Sequence, residues 1–438
     1  MDKYGMIGEL QNVTEGLGQK YRNWLLRKSM GDVPVRVREV LNSVYPEYVG
    51  KQKKLVPLII HEGRDKTNDH KWFYVFSLPP DLHYEKFKKD CEKLIAQRVG
   101  GQCFMSKEGR SVKMQVSDLE LEKLYHFKFN PKAHMDKYLP IPFGYSTEGE
   151  IVEDLSMFPY LFIAGNPFGG KSNEILNIIA SLLLASKHNP KSQCLIFVID
   201  YKKVDFTDFE DYIYLFQDDD YAKTRALLEF MRMVIRERSK ILKQYKAKNW
   251  HKVIDRGGNM PWIVIIADEL TEMQDKECQQ SYNAIARMGR AAGICLIGAT
   301  QRPSADMWQY EKFSNTRQLF DARLAFHLPD TSSSHIALGD GYSQAAYLPT
   351  YKGRAIYKWD GLKEVQTMKF PEEEDEIAKI LNRIKGIPTI NPNIYNAMQI
   401  EESSNLLLPR QSSYRKPRTL RLTEYEPDLF TSFFFRKQ

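Results

Sequence analysis

The chain has 438 residues, 42% of them hydrophobic and 27% charged, with a formal net charge of +7. The length exceeds one typical domain, and the composition is that of a folded globular protein rather than a disordered or low-complexity chain. The mild positive balance permits a polyanionic partner without requiring one, and no run of about 18 apolar residues offers a membrane span.

Residues 1–45 read as helical, with Trp24, Leu25 and Leu26 set among charges and Pro34 opening a second short helix. The start has no basic segment followed by an apolar stretch, so no signal peptide is expected. Residues 55–60 and 72–78 are rich in β-branched and aromatic residues and read as strands. Residues 84–99 carry Phe87, Cys91, Leu94 and Ile95 at helical spacing. Two short strands, QCFM and SVKMQV, follow Gly100-Gly101 and are joined at Glu108-Gly109. The expectation is a small N-terminal α+β module over residues 1–135. The five cysteines (Cys91, Cys103, Cys194, Cys278, Cys295) show no CxxC spacing, which fits a reduced compartment. The nine histidines form no ligand-spaced cluster, so no structural zinc is expected.

From Leu139 the pattern changes. IPFGYSTEGEIVEDL reads as a hairpin with its turn near Glu148-Gly149. Apolar strands then alternate with helices: YLFIAG, CLIFVID, WIVIIAD, ICLIGAT and ARLAFHL are separated by amphipathic stretches. Buried strands with helices between them predict a mostly parallel sheet covered on both faces, over residues 136–370. Residues 371–438 are expected to hold one helix and then a basic, partly disordered tail.

The stretch Gly165, Asn166, Pro167, Phe168, Gly169, Gly170, Lys171, Ser172 fits G-x-x-x-x-G-K-[ST] between a strand and a helix. Such a loop wraps phosphates with backbone N–H groups at a helix N-terminus, where the dipole also favours anions. Lys171 would reach the β- and γ-phosphates of a bound ATP, and Ser172 would ligate Mg²⁺. The strand WIVIIAD supplies the acidic partner. Asp268 would hold the metal and its water, and Glu269 would act as general base on the attacking water. Taken alone, an Asp-Glu pair could equally cap a helix. The strand ICLIGAT ends in Gln301 and Arg302, suited to sensing the γ-phosphate and to binding charge in cis or across a subunit boundary, or else to capping a loop.

These motifs, with the lead-in IPFGYSTEGEIVEDL, the stretch ARMGRAAGI before the last strand, the string ATQRPS and the later ARLAFHLPDTSSSHIALGDG, resemble the FtsK/SpoIIIE family of DNA translocase motors. The resemblance implies a RecA-like α/β P-loop NTPase that assembles as a hexamer around double-stranded DNA, with ATP and Mg²⁺ between subunits. It implies catalytic roles for Glu269, Gln301 and a trans-acting arginine, with Arg302 first, then Arg290 and Arg287. The N-terminal membrane helices and DNA-reading winged helix of septal members are not expected here. That pattern is similar to the coupling ATPases of Gram-positive conjugative plasmids and integrative elements. Those ATPases usually carry membrane helices as well, so this chain departs from them or recruits a membrane-channel or relaxosome partner; a cytoplasmic protein is expected, with any membrane association made through such a partner. Arg415, Lys416, Arg418 and Arg421 in the tail, and more weakly Lys202 and Lys203, are the linear candidates for DNA contact. A protein-export ATPase resembling type VII secretion motors, and a non-translocating DNA-binding ring, are the alternatives.

Overall fold

The computed structural model describes residues 31–387, apart from residues 50–51, 66–68, 120, 203–204, 218–220, 259 and 304–315. The helix expected over the first thirty residues and the basic tail, with Arg415, Lys416, Arg418 and Arg421, lie outside the described residues, as does Lys203. Internal packing divides the chain into two units: residues 1–122 with 146–149 and 340–347, and residues 123–145 with 150–339 and 348–438.

The first unit contains α1 (Val33–Val44), β1 (Leu58–Arg64), β2 (Lys71–Ser77), α2 (Tyr84–Val99), β3 (Gln102–Glu108) and β4 (Ser111–Ser117). Its four strands form an antiparallel sheet in the order β1-β2-β4-β3. Strand alternation sends Trp72, Tyr74 and Phe76 to one face, where they join Val37 of α1 and Phe87, Cys91 and Ile95 of α2 in one buried cluster. Pro34 lies in the first turn of α1, where its missing N–H costs nothing. Gly100 closes α2 at a φ of 82°.

The second unit is built on a ten-stranded sheet. Its elements are β5 (Pro140–Ser146), β6 (Gly149–Asp154), β7 (Tyr160–Ala164), α3 (Lys171–His188), β8 (Cys194–Asp200), β9 (Tyr214–Phe216), α4 (Ala222–Gln244), β10 (Trp262–Asp268), α5 (Lys276–Met288), β11 (Ile294–Thr300), β12 (Ala322–Phe326), α6 (Thr331–Leu338), β13 (Arg354–Trp359), β14 (Gly361–Gln366) and α7 (Glu374–Ile384). The strand order is β9-β8-β10-β11-β7-β12-β13-β14-β5-β6. The six strands from β9 to β12 are parallel, and β13 and β14 continue the sheet antiparallel. The parallel strands β7, β8, β10 and β11 are buried at every residue, as a sheet covered on both faces requires.

The unit begins near residue 123 because the chain there already joins the unit's core through a separate two-stranded sheet. Tyr125 and His126 pair with Met368 and Lys369, and Phe129 lies in the main core. The helix α7 also belongs to that core through Ile380 and Ile384. Most charges of α4 face solvent, but Arg238 is fully buried. Its guanidinium donates to the carbonyls of Ala292 and Pro261, both at 2.7 Å, and lies over the Trp250 ring.

Candidate nucleotide site

Parallel pairing brings the C-terminal ends of four strands to one edge. Ala164 at the end of β7 is in register with Thr300 at the end of β11, and Asp200 of β8 with Asp268 of β10. The strand β11 lies between β7 and β10, so the residues that follow it stand between the glycine-rich loop and the acidic pair.

Residues 165–170 form the turn from β7 into α3. The Gly165 N–H donates to the Thr300 carbonyl at 3.2 Å, and the Asn166 N–H to the His327 carbonyl at 3.2 Å. These bonds tie the loop to both neighbouring strands. A Cβ on Gly165 would come within 2.6 Å of the Phe326 Cβ, so the close approach of loop and strand needs glycine. Gly170 has a φ of 124°, which an L side chain rarely adopts. Phe168 also has a positive φ, 63°, and its ring is 86% exposed at the outer tip of the loop. Lys171 opens α3, and its side chain is buried. Burial pushes its ammonium below the ordinary lysine range, while the charge of Asp268 pulls it back up. Ser172 is half-buried beside it.

Asp268 is 1% exposed, and neither carboxylate oxygen has a hydrogen-bond partner. Burial raises its pKa, while Lys202 and Lys171 lower it. A buried carboxylate with both oxygens unbonded is costly unless a cation or a cation's water shell completes it. The site therefore fits Mg²⁺, with Asp268 and Ser172 as the residues that could hold it.

Glu269 is arranged differently. Its backbone is left-handed, at a φ of 66°, which is strained for a glutamate. Its carboxylate accepts from Thr271 Oγ1 at 2.5 Å, from Thr300 Oγ1 at 2.7 Å and from the Gln301 N–H at 3.0 Å. Adjacent residues on one strand end thus hold two carboxylates in contrasting surroundings, one unbonded and one clamped to β11. Gln301 follows directly, with a half-buried side chain, and Arg302 is exposed on the same edge.

The other two arginines stand elsewhere. Arg290 pairs with Asp321 at 2.8 Å and lies over the Tyr160 ring, at the N-terminal ends of β12 and β7. Arg287, near the end of α5, is exposed. Both lie toward the opposite edge of the sheet from the loop. Sequence reasoning offered Lys202 only as a weaker candidate for DNA contact; its ammonium is 3.7 Å from Asp268 Oδ2 and 4.0 Å from Glu269 Oε2. It missed Glu174, fully buried in the first turn of α3.

The fold and this edge define a RecA-like phosphate-loop NTPase with an additional strand between the loop strand and the acidic strand. Residues 127–264 match the model of the FtsK/SpoIIIE family. A curated relative named DNA translocase FtsK, from Leptospira interrogans, is 30% identical over 304 residues, 66% of this chain and 31% of the relative. One of the same name from Helicobacter pylori is 29% identical over 246 residues, 54% of this chain and 28% of the relative. The chain thus spans less than a third of the length of these relatives. Among solved structures, the pCW3 conjugation coupling protein TcpA, with ATPgS, aligns over 80% of this chain and 99% of its own, with a TM-score of 0.53 and 21% identity. The cytoplasmic domain of the Thermomonospora curvata type VII secretion ATPase EccC aligns over 59% of this chain and 33% of its own, with a TM-score of 0.50 and 17% identity. At these identities the two structures share the fold. Among the described residues no helix is long and apolar enough to cross a membrane.

Proposed function

We propose that this chain is an ATP-driven DNA translocase that works as a coupling ATPase in conjugative or mobile-element transfer. The observation that carries the ATPase reading is the pair Asp268 and Glu269, one buried and unbonded, the other clamped to β11, on the same edge as Lys171. The DNA reading rests on the match to the FtsK/SpoIIIE family and on the relatives named DNA translocase. The conjugative setting rests on the likeness to a conjugation coupling protein.

In this reading residues 165–170 cradle the phosphates with backbone N–H groups, and Lys171 binds the β- and γ-phosphates. Ser172 and Asp268 hold Mg²⁺, which when bound neutralises charge on the phosphates. Glu269 takes the proton of the attacking water. Its hydrogen bonds to Thr300 and Gln301 aim the carboxylate and let β11 report on whether the γ-phosphate is present. A guanidinium, Arg302 first, completes the site from the same or a neighbouring subunit of a ring, which we take to be a hexamer on double-stranded DNA.

The test is turnover with and without single- and double-stranded DNA. Lys171→Ala should lose nucleotide binding, whereas Glu269→Gln should bind ATP and stop turnover. DNA should stimulate the wild type, and its binding should weaken steeply with salt as counterions are released. Wild-type turnover in Glu269→Gln would refute the base assignment. Stimulation by no nucleic acid would refute the DNA reading and favour a protein substrate.

A further inference from the structure

Lys202 follows β8 by two residues. Its place is fixed by Asp200, whose Oδ1 accepts from the Lys202 N–H at 2.9 Å and whose Oδ2 accepts from Gln217 Nε2 at 3.1 Å. Asp200 is fully buried and in register with Asp268 across the β8–β10 pair. The chain that leaves β8 is therefore anchored beside the acidic end of β10. The Lys202 side chain is about one-third exposed, yet its ammonium turns inward to both carboxylates. An ammonium that served the DNA backbone would face solvent instead.

We propose that Lys202 is a built-in competitor of the metal: its ammonium pairs with Asp268 and lies beside Glu269, and it must leave Asp268 for Mg²⁺ to bind with the nucleotide. This rests on the reading of the edge as an ATP site. Ion pairing at this distance satisfies the buried charge of Asp268 without the hydrogen bonds that would lock it in place. The carboxylate stays ready for a divalent cation, and a lysine on a partly exposed segment can move away at small cost. Two cations cannot both occupy one buried carboxylate without mutual repulsion. Metal affinity at Asp268 is thus set partly by how firmly Lys202 holds it, and whatever shifts the segment after β8 changes that affinity.

The inference is tested by linkage. The affinity of a fluorescent ATPγS analogue is measured in EDTA and in Mg²⁺, and the gain on adding Mg²⁺ reports metal binding at the site. In Lys202→Gln the gain should exceed the wild-type gain by about three- to tenfold, the range expected for a partly screened pair. Lys202→Arg keeps the charge and should show the wild-type gain. Asp268→Asn should show almost none. An equal or smaller gain in Lys202→Gln, with the wild-type gain present and lost in Asp268→Asn, overturns this inference and leaves the ATP site standing. Absence of any Asp268-dependent gain in the wild type overturns both.

Discussion

Glu174 makes stability depend on pH in a window where few carboxylates titrate. It sits in the first turn of α3, where the helix dipole favours its charged form. It is nevertheless fully buried, with Oε2 accepting from Asn177 Nδ2 at 3.1 Å and Oε1 without a hydrogen-bond partner. Burial wins, and its pKa is pushed up from 4.5 to about 8. Below pH 4.5 the folded and unfolded chains both carry the proton. Between 4.5 and about 8 the unfolded chain has lost it and the folded chain keeps it, so stability falls as pH rises. The slope is about 1.4 kcal/mol per pH unit, and the total is bounded at roughly 4–5 kcal/mol. Glu174→Gln keeps the volume and an acceptor for Asn177 but cannot ionise. Urea unfolding of both proteins from pH 4.5 to pH 9 gives the comparison, because every other titrating group cancels in the difference. The variant should match the wild type near pH 4.5, gain on it up to about pH 8, and hold that gain above. Parallel stability curves across the window would refute the reasoning, since they would mean that Glu174 ionises equally in both states.

Gly165→Ala places a Cβ 2.6 Å from the Phe326 Cβ; it should cost about 1–3 kcal/mol of stability and weaken nucleotide binding in a titration. Thr300→Val removes the 2.7 Å hydrogen bond to Glu269, and turnover should fall about tenfold while nucleotide affinity holds. Mixing Arg302→Ala protein with Lys171→Ala protein should restore part of the ATPase activity in mixed rings, because some interfaces then pair an intact loop with an intact arginine. No recovery in rings shown to assemble would point to Arg302 acting in cis.

Much of the sheet was legible because parallel, fully buried strands announce themselves as short apolar runs. CLIFVID, WIVIIAD and ICLIGAT are buried at all seven positions, and each is flanked by an amphipathic stretch. The strands β13 and β14 were missed. Arg354 and Lys358 on β13, and Lys363 and Glu364 on β14, break the apolar pattern. Arg354 is nonetheless buried, bonded to Gln366 and to Glu364 across the pair. Polar pairs across two antiparallel strands satisfy one another, and a single-strand pattern cannot show that. The short strand β9 was missed because three residues carry no periodicity.

The candidate site was legible to the extent that its residues lie in runs. The loop, the Asp-Glu pair and the Gln-Arg pair each follow an apolar strand, so the sequence itself assigns them to strand ends. It does not say which strands are neighbours, and several properties of the site depend on that. Glu269 is clamped because β11 borders β10, which brings Thr300 and Gln301 to it. Lys202 reaches the acidic pair because β8 borders β10 on the other side. Arg302 and Arg290 flank one strand, β11, yet only Arg302 stands on the loop edge, since residues before and after a parallel strand emerge at opposite edges of the sheet. An arginine held by Asp321 and Tyr160 at the far edge cannot reach the phosphate loop of its own chain. If Arg290 acts on a nucleotide at all, that nucleotide belongs to another subunit, and the ion pair with Asp321 would have to open first. Arg302 needs no such release, which is the structural reason for ranking it ahead.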